Sequence, residues 1–346
     1  MSFSNAPITN INTLTKRRDI GPTLSVVVPF YNESEVLAEF HQRLSWVMTQ
    51  ISGKTEIIYV DDGSVDGSLE IVKNFDATNC TIKCVELSRN FGKENAMSAG
   101  LNHAKGQAVV MIDADLQDPP ELIHKMLCKW RMGFDVVNMK RTNRRGESWF
   151  KRFSAGCFYK ILNKMTPLNV PENVGDFRLM SAKVVKHINA LPERTRYMKG
   201  IFAWPGFNQT TIEFERDARY LGQTKWNYLK LIGLAMDGIS SFSIRPLRIA
   251  TILGALVASS AFIYGLFIIT KTIAFGEVVS GYPSTMVVQL ALGGVQLLSI
   301  GLLGEYIGRI FIEVKQRPLY LVADVHDCKD ISNNNANLAT VGEKSS

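Results

Sequence analysis

The sequence predicts an α/β fold in which a mostly parallel sheet is flanked by helices and followed by two helices of membrane-spanning length. Two observations predict this fold. Between residue 24 and about residue 140, short β-branched apolar runs alternate with helical stretches. From residue 249, charged residues nearly disappear until Glu305. Continuous apolar strands separated by helices are typical of parallel sheets that are buried on both faces.

The alternating elements begin after a polar N-terminal tail, residues 1–22, for which we predict flexibility. The predicted strands are residues 24–29, 56–60, 82–87, 108–112 and 134–139. The predicted helices are residues 33–50, 68–75, 93–104 and 120–132. These elements belong to one predicted domain, residues 23–240. Ligands of parallel sheets bind beyond the carboxyl ends of the strands, so the polar clusters at those ends are the first functional candidates.

Two apolar segments near the C-terminus have the length of membrane-spanning helices. Residues 249–270 are 22 residues without a charge. As a helix they extend about 33 Å, enough to cross a bilayer core of about 30 Å. A second uncharged segment covers residues 285–304. We predict transmembrane helices at 247–271 and 285–311 rather than two buried core helices, because hydrophobic residues surround both.

The basic residues around these helices predict their orientation. Arg245 and Arg248 precede the first helix, and Arg309, Lys315 and Arg317 end or follow the second. The positive-inside rule then places both chain ends in the cytoplasm and the short connection outside. The last residues, 324–346, are rich in Asn and Ser and are predicted to be disordered.

Composition narrows the class of protein. The net charge of +7 fits anionic partners such as nucleotide phosphates, acidic lipid or nucleic acid. Nucleic-acid binding does not explain two membrane spans, so we expect no nucleic-acid partner. The first strand is not followed by G-x-G-x-x-G, which argues against a dehydrogenase. Five cysteines without a C-x-x-C pair indicate reduced thiols.

Polar clusters follow the first four strands, and those after the first, second and fourth strands contain the candidate residues. The first, residues 29–33 (PFYNE), is weak by itself because Asn32 can cap a helix. In the second, Asp61 and Asp62 lie beside glycines and can accept hydrogen bonds from the base and ribose of a nucleotide, or they form a capped turn. The third, residues 113–117 (DADLQ), places three side-chain oxygens on one side. Such oxygens suit Mg²⁺ or Mn²⁺ bridging a diphosphate, and do not suit zinc.

A basic segment follows the fifth predicted strand. Residues 140–164 carry eight Lys or Arg side chains against the single Glu147, with aromatic residues among them. This pattern predicts an amphipathic helix, residues 147–165, in the interface of an anionic leaflet. The alternative is an ordinary basic surface helix.

These clusters resemble glycosyltransferase family 2, and the resemblance extends through residues 87–93 (LSRNFGK) and 173–178 (NVGDFR). With two apolar helices after the domain, the chain is most similar to bactoprenol (undecaprenyl phosphate) glucosyltransferases, and more distantly to dolichyl-phosphate mannose synthases. The resemblance covers about residues 24–320. It implies a GT-A fold, a divalent metal (Mg²⁺ or Mn²⁺) and inverting transfer of a hexose to a polyprenyl phosphate.

The closest resemblance favours glucose from UDP-glucose as the donor and undecaprenyl phosphate as the acceptor, at the cytoplasmic face of the bacterial inner membrane. UDP-N-acetylhexosamine and GDP-mannose are alternative donors. The product then serves cell-surface glycan modification such as that of O-antigen. This role implies a functional link to a lipid-sugar flippase, and a homo-oligomer is a further expectation.

The resemblance also implies roles for single residues. The predicted nucleotide-sugar site consists of Pro29, Tyr31, Glu33, Asp62, Lys93 and Asp113. The predicted metal ligands are Asp115 and Gln117. The predicted catalytic residues are Asp115, Asp176 and Arg178. Arg219 and Lys225 belong to a segment expected to cover the diphosphate.

The acceptor chemistry assigns the basic segment. A phosphate monoester has a second pKa near 6, so at pH 7 the acceptor is mostly dianionic and attacks without a strong base. The enzyme must hold this anion, and arginines do so bidentately. The predicted ligands are Arg141, Arg144, Arg145 and Arg152. Asp176 is expected to orient the sugar or the incoming phosphate, unless it is only a turn carboxylate paired with Arg178.

Two rival interpretations remain. A processive polysaccharide synthase needs Q-x-x-R-W, and residues 223–226 (QTKW) are one residue short and lack the arginine. A non-catalytic membrane partner of a flippase, with a degenerate transferase domain, is disfavoured because Asp62, Asp113, Asp115 and Gln117 are all present.

Overall fold

The computed structural model describes residues 24–77, 80–142, 174–194, 196–215, 243–275 and 281–328. Its centre is an eight-stranded sheet with the order β7-β5-β6-β4-β1-β2-β3-β8. The strands are β1 Leu24–Phe30, β2 Thr55–Asp61, β3 Thr81–Leu87, β4 Ala108–Met111, β5 Val136–Arg141, β6 Val174–Ser181, β7 Gln209–Phe214 and β8 Val322–Asp327.

Helices cover both faces of the sheet. They are α1 Leu37–Thr49, α2 Ser68–Lys73, α3 Lys93–His103, α4 Ile123–Arg131, α5 Ala182–Asn189 and α6 Met198–Ala203, with a 3-10 turn Pro120–Leu122 before α4. One apolar cluster joins α1, α2 and α4 to the sheet, and a second joins α3, α5 and α6 to its other face. Every residue of β1 and β2 is buried, as expected for central strands of a doubly covered sheet.

Strands β1 to β4 form the predicted parallel core. Strand β1 pairs in parallel with β2 and β4, and β2 pairs in parallel with β3. The carboxyl ends of all four strands therefore meet at one edge, where the polar clusters lie. The predicted α/β fold with a mostly parallel sheet is confirmed.

The fifth predicted strand does not extend this parallel core directly. Strand β6, which the sequence patterns did not predict, lies between β4 and β5 and is antiparallel to both. Strand β7 then pairs in parallel with β5 at the outer edge. A later chain segment therefore inserts between β4 and β5, and the sheet is mostly rather than entirely parallel.

The predicted start of the first helix is also corrected. Helix α1 begins at Leu37 rather than at residue 33. Residues 33–36 form a turn in which the Val36 and Leu37 N–H groups donate to the Glu33 carbonyl. This turn keeps Glu33 outside the helix, at the end of the sheet.

The chain beyond residue 315 returns to the sheet. Strand β8 is antiparallel to β3 and closes the sheet edge. The prediction of disorder from residue 324 was therefore wrong for residues 324–327, which are in this strand. Residues 329–346 lie outside the described residues, as do the N-terminal tail, residues 1–22, and the predicted interfacial helix, residues 147–165.

Two long apolar helices form a hairpin that comes between β7 and β8 in the sequence. They are α7 Arg245–Phe275 and α8 Tyr282–Lys315, each longer than the predicted spans 247–271 and 285–311. Arg245–Lys271 and Ala291–Lys315 are long and apolar enough to cross a membrane by length and composition, and neither is buried against the described part of the chain.

Candidate active site

The loops that follow β1 and β2 are tied together by side-chain hydrogen bonds. The Asn32 N–H donates to Ser64 Oγ (3.0 Å), and the Val65 N–H donates to Asn32 Oδ1 (2.9 Å). The Glu33 N–H donates to Ser68 Oγ (2.9 Å). Asn32 has a φ of 53°, a region that asparagine tolerates better than most residues. Its side chain therefore joins two loops and does not cap α1.

Asp62 fixes the loop that follows β3. Its two carboxylate oxygens accept the N–H groups of Phe91 (2.7 Å) and Gly92 (3.0 Å). Burial raises the pKa of Asp62, while these two hydrogen bonds oppose the rise. At the neighbouring Gly63, an added Cβ would lie 2.6 Å from the Arg89 carbonyl carbon, so only glycine permits this close approach. Asp62 thus builds one wall of the site.

An open cleft of about 390 Å³ lies at the carboxyl ends of the parallel strands. All six residues predicted for the nucleotide sugar line it, together with the predicted metal ligand Asp115. They are Pro29, Tyr31, Glu33, Asp62, Lys93 and Asp113. Residues after three different strands and at the start of α3 thus meet in one place, as the topology requires.

Lys93, the first residue of α3, connects two carboxylates. Its Nζ lies 2.7 Å from a carboxylate oxygen of Asp113, after β4, and 2.7 Å from Asp176, on β6. Burial raises the pKa of Asp113 more than Lys93 lowers it. At Asp176 burial acts in the same direction, but the attraction of Lys93 prevails and the pKa is lowered. At Lys93 burial alone would lower the pKa. The two carboxylates have the larger, opposite effect, so the pKa of Lys93 is raised. The cluster therefore favours an ionised Asp176.

The predicted metal ligands differ in their surroundings. Asp115 lines the cleft and accepts the Gln117 N–H at 3.2 Å. Gln117 is 5% exposed and is not among the residues that line the cleft. Within the described ranges, His, Cys, Asp and Glu side chains form no group of three that could hold a metal ion by themselves. An ion here would need oxygens of the substrate as well.

Arg178 lies in β6, outside the cleft. It is 4% exposed, donates from Nη2 to the Gly175 carbonyl (2.7 Å) and stacks on the ring of Phe202 at 3.9 Å. Burial lowers its pKa to about 10, against the opposing effect of Asp176. The carboxylate of Asp176 itself is held by Lys93. The predicted catalytic role of Arg178 stays a prediction, and its contacts favour a role in supporting β6.

Arg141, predicted to bind the acceptor phosphate, lies at the end of β5. Its Nη2 is 3.8 Å from Oδ1 of the fully buried Asp118 and would lie 2.8 Å from a Cβ added to Gly175. The side chain thus connects the loop after β4 with β6. The other residues predicted for the acceptor and for the diphosphate lie outside the described residues, namely Arg144, Arg145, Arg152, Arg219 and Lys225.

Sequence reasoning missed part of the cleft lining. Asn90 and Gly92 line the cleft, although they were noted only as members of a motif. Their position in the loop that follows the third predicted strand was the signal that could have identified them. Ser64 and Ser68 were also missed, because a serine that ties two loops together has no recognisable spacing.

Comparisons with known proteins agree with this geometry. Residues 25–188 match the family described as glycosyl transferase family 2, and residues 245–310 match the GtrB C-terminal hairpin. An uncharacterized glycosyltransferase of Synechocystis sp. is 53% identical over 302 residues, 87% of this chain and 95% of its own. The prophage-derived bactoprenol glucosyl transferase of Shigella flexneri is 46% identical over 303 residues, 88% of this chain and 98% of its own.

A relative in Escherichia coli, a prophage bactoprenol glucosyl transferase homolog, is also 46% identical, over 87% of this chain and 99% of its own. Among solved structures, mannosyl-3-phosphoglycerate synthase from Rubrobacter xylanophilus matches 67% of this chain and 75% of its own, with a TM-score of 0.45 and 16% identity, too distant to carry a functional conclusion. The sequence relatives decide the matter: with its GT-A-like sheet and C-terminal hairpin, the chain belongs to glycosyltransferase family 2 and is a glycosyltransferase.

Proposed function

We propose that this enzyme transfers a hexose, glucose from UDP-glucose, to undecaprenyl phosphate at the cytoplasmic face of the bacterial inner membrane. One observation carries the proposal: the acidic cleft and an exposed apolar hairpin belong to one folded unit. An enzyme with a soluble acceptor would not need the hairpin. An enzyme whose acceptor is a membrane lipid must be held at the membrane surface. Relatives that are 46% identical and named bactoprenol glucosyl transferases support the choice of acceptor.

The cleft supports the binding of a nucleotide sugar. Tyr31 is 44% exposed at the cleft wall, where its ring can stack on a base. Glu33 and Asp62 supply oxygens that accept from base N–H and ribose hydroxyl groups. Asp62 already accepts two backbone N–H groups, so it also fixes the shape of the wall against which the nucleotide binds.

The donor set fits a divalent ion that arrives with the diphosphate. Mg²⁺ is commonly held by one or two carboxylates together with substrate phosphates, and Asp113 and Asp115 offer carboxylates to the cleft. Asp115 would hold the ion, with Gln117 as the second predicted ligand. When bound, Mg²⁺ or Mn²⁺ neutralises charge on the leaving diphosphate.

The remaining groups orient the two substrates. The acceptor phosphate is a dianion at pH 7 and needs positioning more than deprotonation. Asp176, held ionised by Lys93, can accept a hydrogen bond from a sugar hydroxyl, which fixes the anomeric carbon in front of the phosphate. Binding of that phosphate by Arg144, Arg145 and Arg152 stays a prediction. The same applies to covering of the diphosphate by Arg219 and Lys225.

The position of the hairpin supports the proposed orientation in the membrane. Glu313 near the end of α8 accepts the Arg194 N–H of the catalytic domain, and the Tyr306 hydroxyl on α8 donates to the Ser243 carbonyl just before α7, so both outer helix ends lie on the side of the catalytic domain. A reporter fused to the C-terminus should be cytoplasmic, and one inserted between α7 and α8 should be outside. Both reporters on one side would contradict the two-span topology. A flippase that moves the product and a homo-oligomer remain proposals that follow from the family resemblance.

The decisive experiment uses the purified full chain in lipid nanodiscs with undecaprenyl phosphate. Labelled UDP-glucose, UDP-N-acetylglucosamine and GDP-mannose are offered separately, and the lipid is extracted. We expect label in the lipid from UDP-glucose, and none with the Asp115→Ala variant. Label from another donor would correct the sugar. No lipid product from any donor would refute the proposed acceptor.

A further inference from the structure

Strand β8 brings the chain from the end of α8 back to the sheet edge, beside the segment that carries Lys93. We infer that Tyr320 and β8 position the cleft wall formed by residues 88–103. The chain beyond the second apolar helix thus supports the donor site from outside the cleft. This inference rests on the proposed function in one respect, that the cleft binds the nucleotide sugar.

The first contact is at the beginning of this wall. The Ser88 N–H donates to the Leu321 carbonyl at 2.9 Å, directly beside the paired residues Leu87 and Val322. Ser88 starts the loop whose N–H groups bind Asp62 farther along. The backbone after β3 is therefore fixed from the β8 side before it reaches the cleft.

The second contact is at the other end of the wall. Asn102 Nδ2 donates to the Tyr320 hydroxyl at 2.7 Å. Asn102 is in the last turn of α3, the helix that begins with Lys93. Two consecutive residues, 320 and 321, thus hold both ends of the loop and helix that place Lys93 between Asp113 and Asp176.

The positioning segment is itself anchored. Tyr320 packs against the apolar cluster of α3, and Cys328 packs against the cluster on the opposite face of the sheet. The Cys328 N–H also donates to the Ile82 carbonyl at 3.0 Å. On the hairpin side, Glu313 near the end of α8 accepts the Arg194 N–H at 2.8 Å. These anchors leave Tyr320 little freedom relative to α3.

The test removes one hydroxyl group from the full chain. Tyr320→Phe deletes the acceptor for Asn102 and keeps the ring that packs. Tyr264→Phe is the matched control, since Tyr264 lies on the exposed side of α7, away from the cleft. Asn102→Ala and the double variant Asn102→Ala/Tyr320→Phe complete a double-mutant cycle. Each protein is measured by hydrogen exchange, by UDP titration and by steady-state kinetics with both substrates varied.

We expect Tyr320→Phe to speed amide exchange in residues 88–103 and to weaken UDP binding about two- to tenfold, the range for one lost hydrogen bond. The donor KM should rise by the same factor, while kcat and the acceptor KM stay near wild type. A loss of stability alone would lower the active fraction without this selectivity. The double variant should bind UDP no more weakly than Asn102→Ala does, because the two substitutions remove the same hydrogen bond.

Three results would overturn the inference. The first is wild-type exchange in residues 88–103 of the Tyr320→Phe protein. The second is faster exchange with unchanged UDP affinity, which would disconnect the contact from the cleft. The third is fully additive loss in the double variant. If wild type itself fails to bind UDP, the proposed donor is refuted, and the exchange data still decide whether Tyr320 positions this segment.

Discussion

The sheet domain and the helical hairpin contain similar apolar side chains in opposite arrangements. In the sheet, Val27, Ile58 and Val110 are completely buried. In the hairpin, Ile263 is 68% exposed and Leu298 is 77% exposed. Apolar surface of this extent needs an apolar medium, and the described residues of the protein do not supply one. The difference teaches that hydrophobicity alone does not separate a core from a membrane span, whereas the position of the charges does.

The sheet domain and the hairpin also differ in the distribution of charged groups. The sheet domain gathers carboxylates and Lys93 at the carboxyl ends of its strands, where backbone and side-chain partners stabilise them. Residues 249–270 and 285–304 of the hairpin contain no charge. If this contrast reflects a division between chemistry and anchoring, substitutions in the two regions should change different quantities.

The largest effect is expected at Asp115. Asp115→Ala removes a cleft carboxylate that would hold the metal ion, which supplies several kcal/mol of charge stabilisation. We expect a loss of transfer on the order of 100-fold or more with an unchanged melting temperature. The measurement is lipid-linked sugar formed per minute.

Glu39→Ala, on the exposed side of α1, is the control and should retain activity. Reversible inactivation by EDTA should match the Asp115 variant. Full activity of the Asp115→Ala variant, or full activity of the wild type in EDTA, would show that the reaction needs no metal ion.

The next effect concerns stability and tests the contrast itself. Ile58→Ala leaves a cavity in the sheet core and should cost about 2–5 kcal/mol of unfolding free energy. Leu256 is 60% exposed on α7, and Leu256→Ala should cost about 0.5 kcal/mol or less. Unfolding of both variants in detergent, followed by circular dichroism, gives the comparison. Equal losses would mean that protein covers the face of α7 that carries Leu256.

A smaller effect is expected from the charge cluster in the cleft. In wild type, Lys93 lowers the pKa of Asp176, so Lys93→Met should raise it. The acid limb of the pH–activity profile should then move to higher pH, because Asp176 must be ionised. Lys93→Arg keeps the charge and should retain the wild-type limb. A Lys93→Met profile with an unshifted acid limb would show that the ionisation of Asp176 does not limit the reaction.

The smallest effect concerns Asp66, which accepts hydrogen bonds from Ser34 and Ser68. These bonds outweigh burial and lower its pKa from 3.8 to about 2. A depressed carboxyl pKa contributes stability above pH 4 that is lost as the pH falls towards 2. The melting temperatures of wild type and Asp66→Asn should therefore differ at pH 5 and converge near pH 2. A constant difference, or a similar change in the exposed control Asp76→Asn, would contradict this origin.

Much of the fold could be predicted because local patterns carry it. The buried runs of β1 to β4 and the two uncharged segments needed no tertiary information. Strands β6, β7 and β8 were missed for a physical reason, since polar and charged side chains interrupt their short apolar runs. Residues 322–327 (VADVHD) are polar enough to be interpreted as a tail, and only their pairing with β3 makes them a strand.

The candidate site divides in the same way. Residues directly after parallel strands, such as Asp62 and Asp113, could be placed together because the strand ends share an edge. The direction of a side chain depends on register and packing, which the motifs do not encode. For that reason neither the burial of Arg178 on β6 nor the bridge from Lys93 to Asp176 was foreseen.

The position of β8 has a consequence for biosynthesis. Strand β3 remains an open edge until β8 leaves the ribosome, and about 235 residues separate Leu87 from Val322. At about 5–20 residues per second this interval lasts on the order of 10–50 s. Both hairpin helices are synthesised within it, so the sheet is completed only after they are available for insertion. Until then the open edge of β3 is prone to pairing with other chains. Because β8 is synthesised after the hairpin, a chain can complete its cleft wall only when its hairpin has already been made.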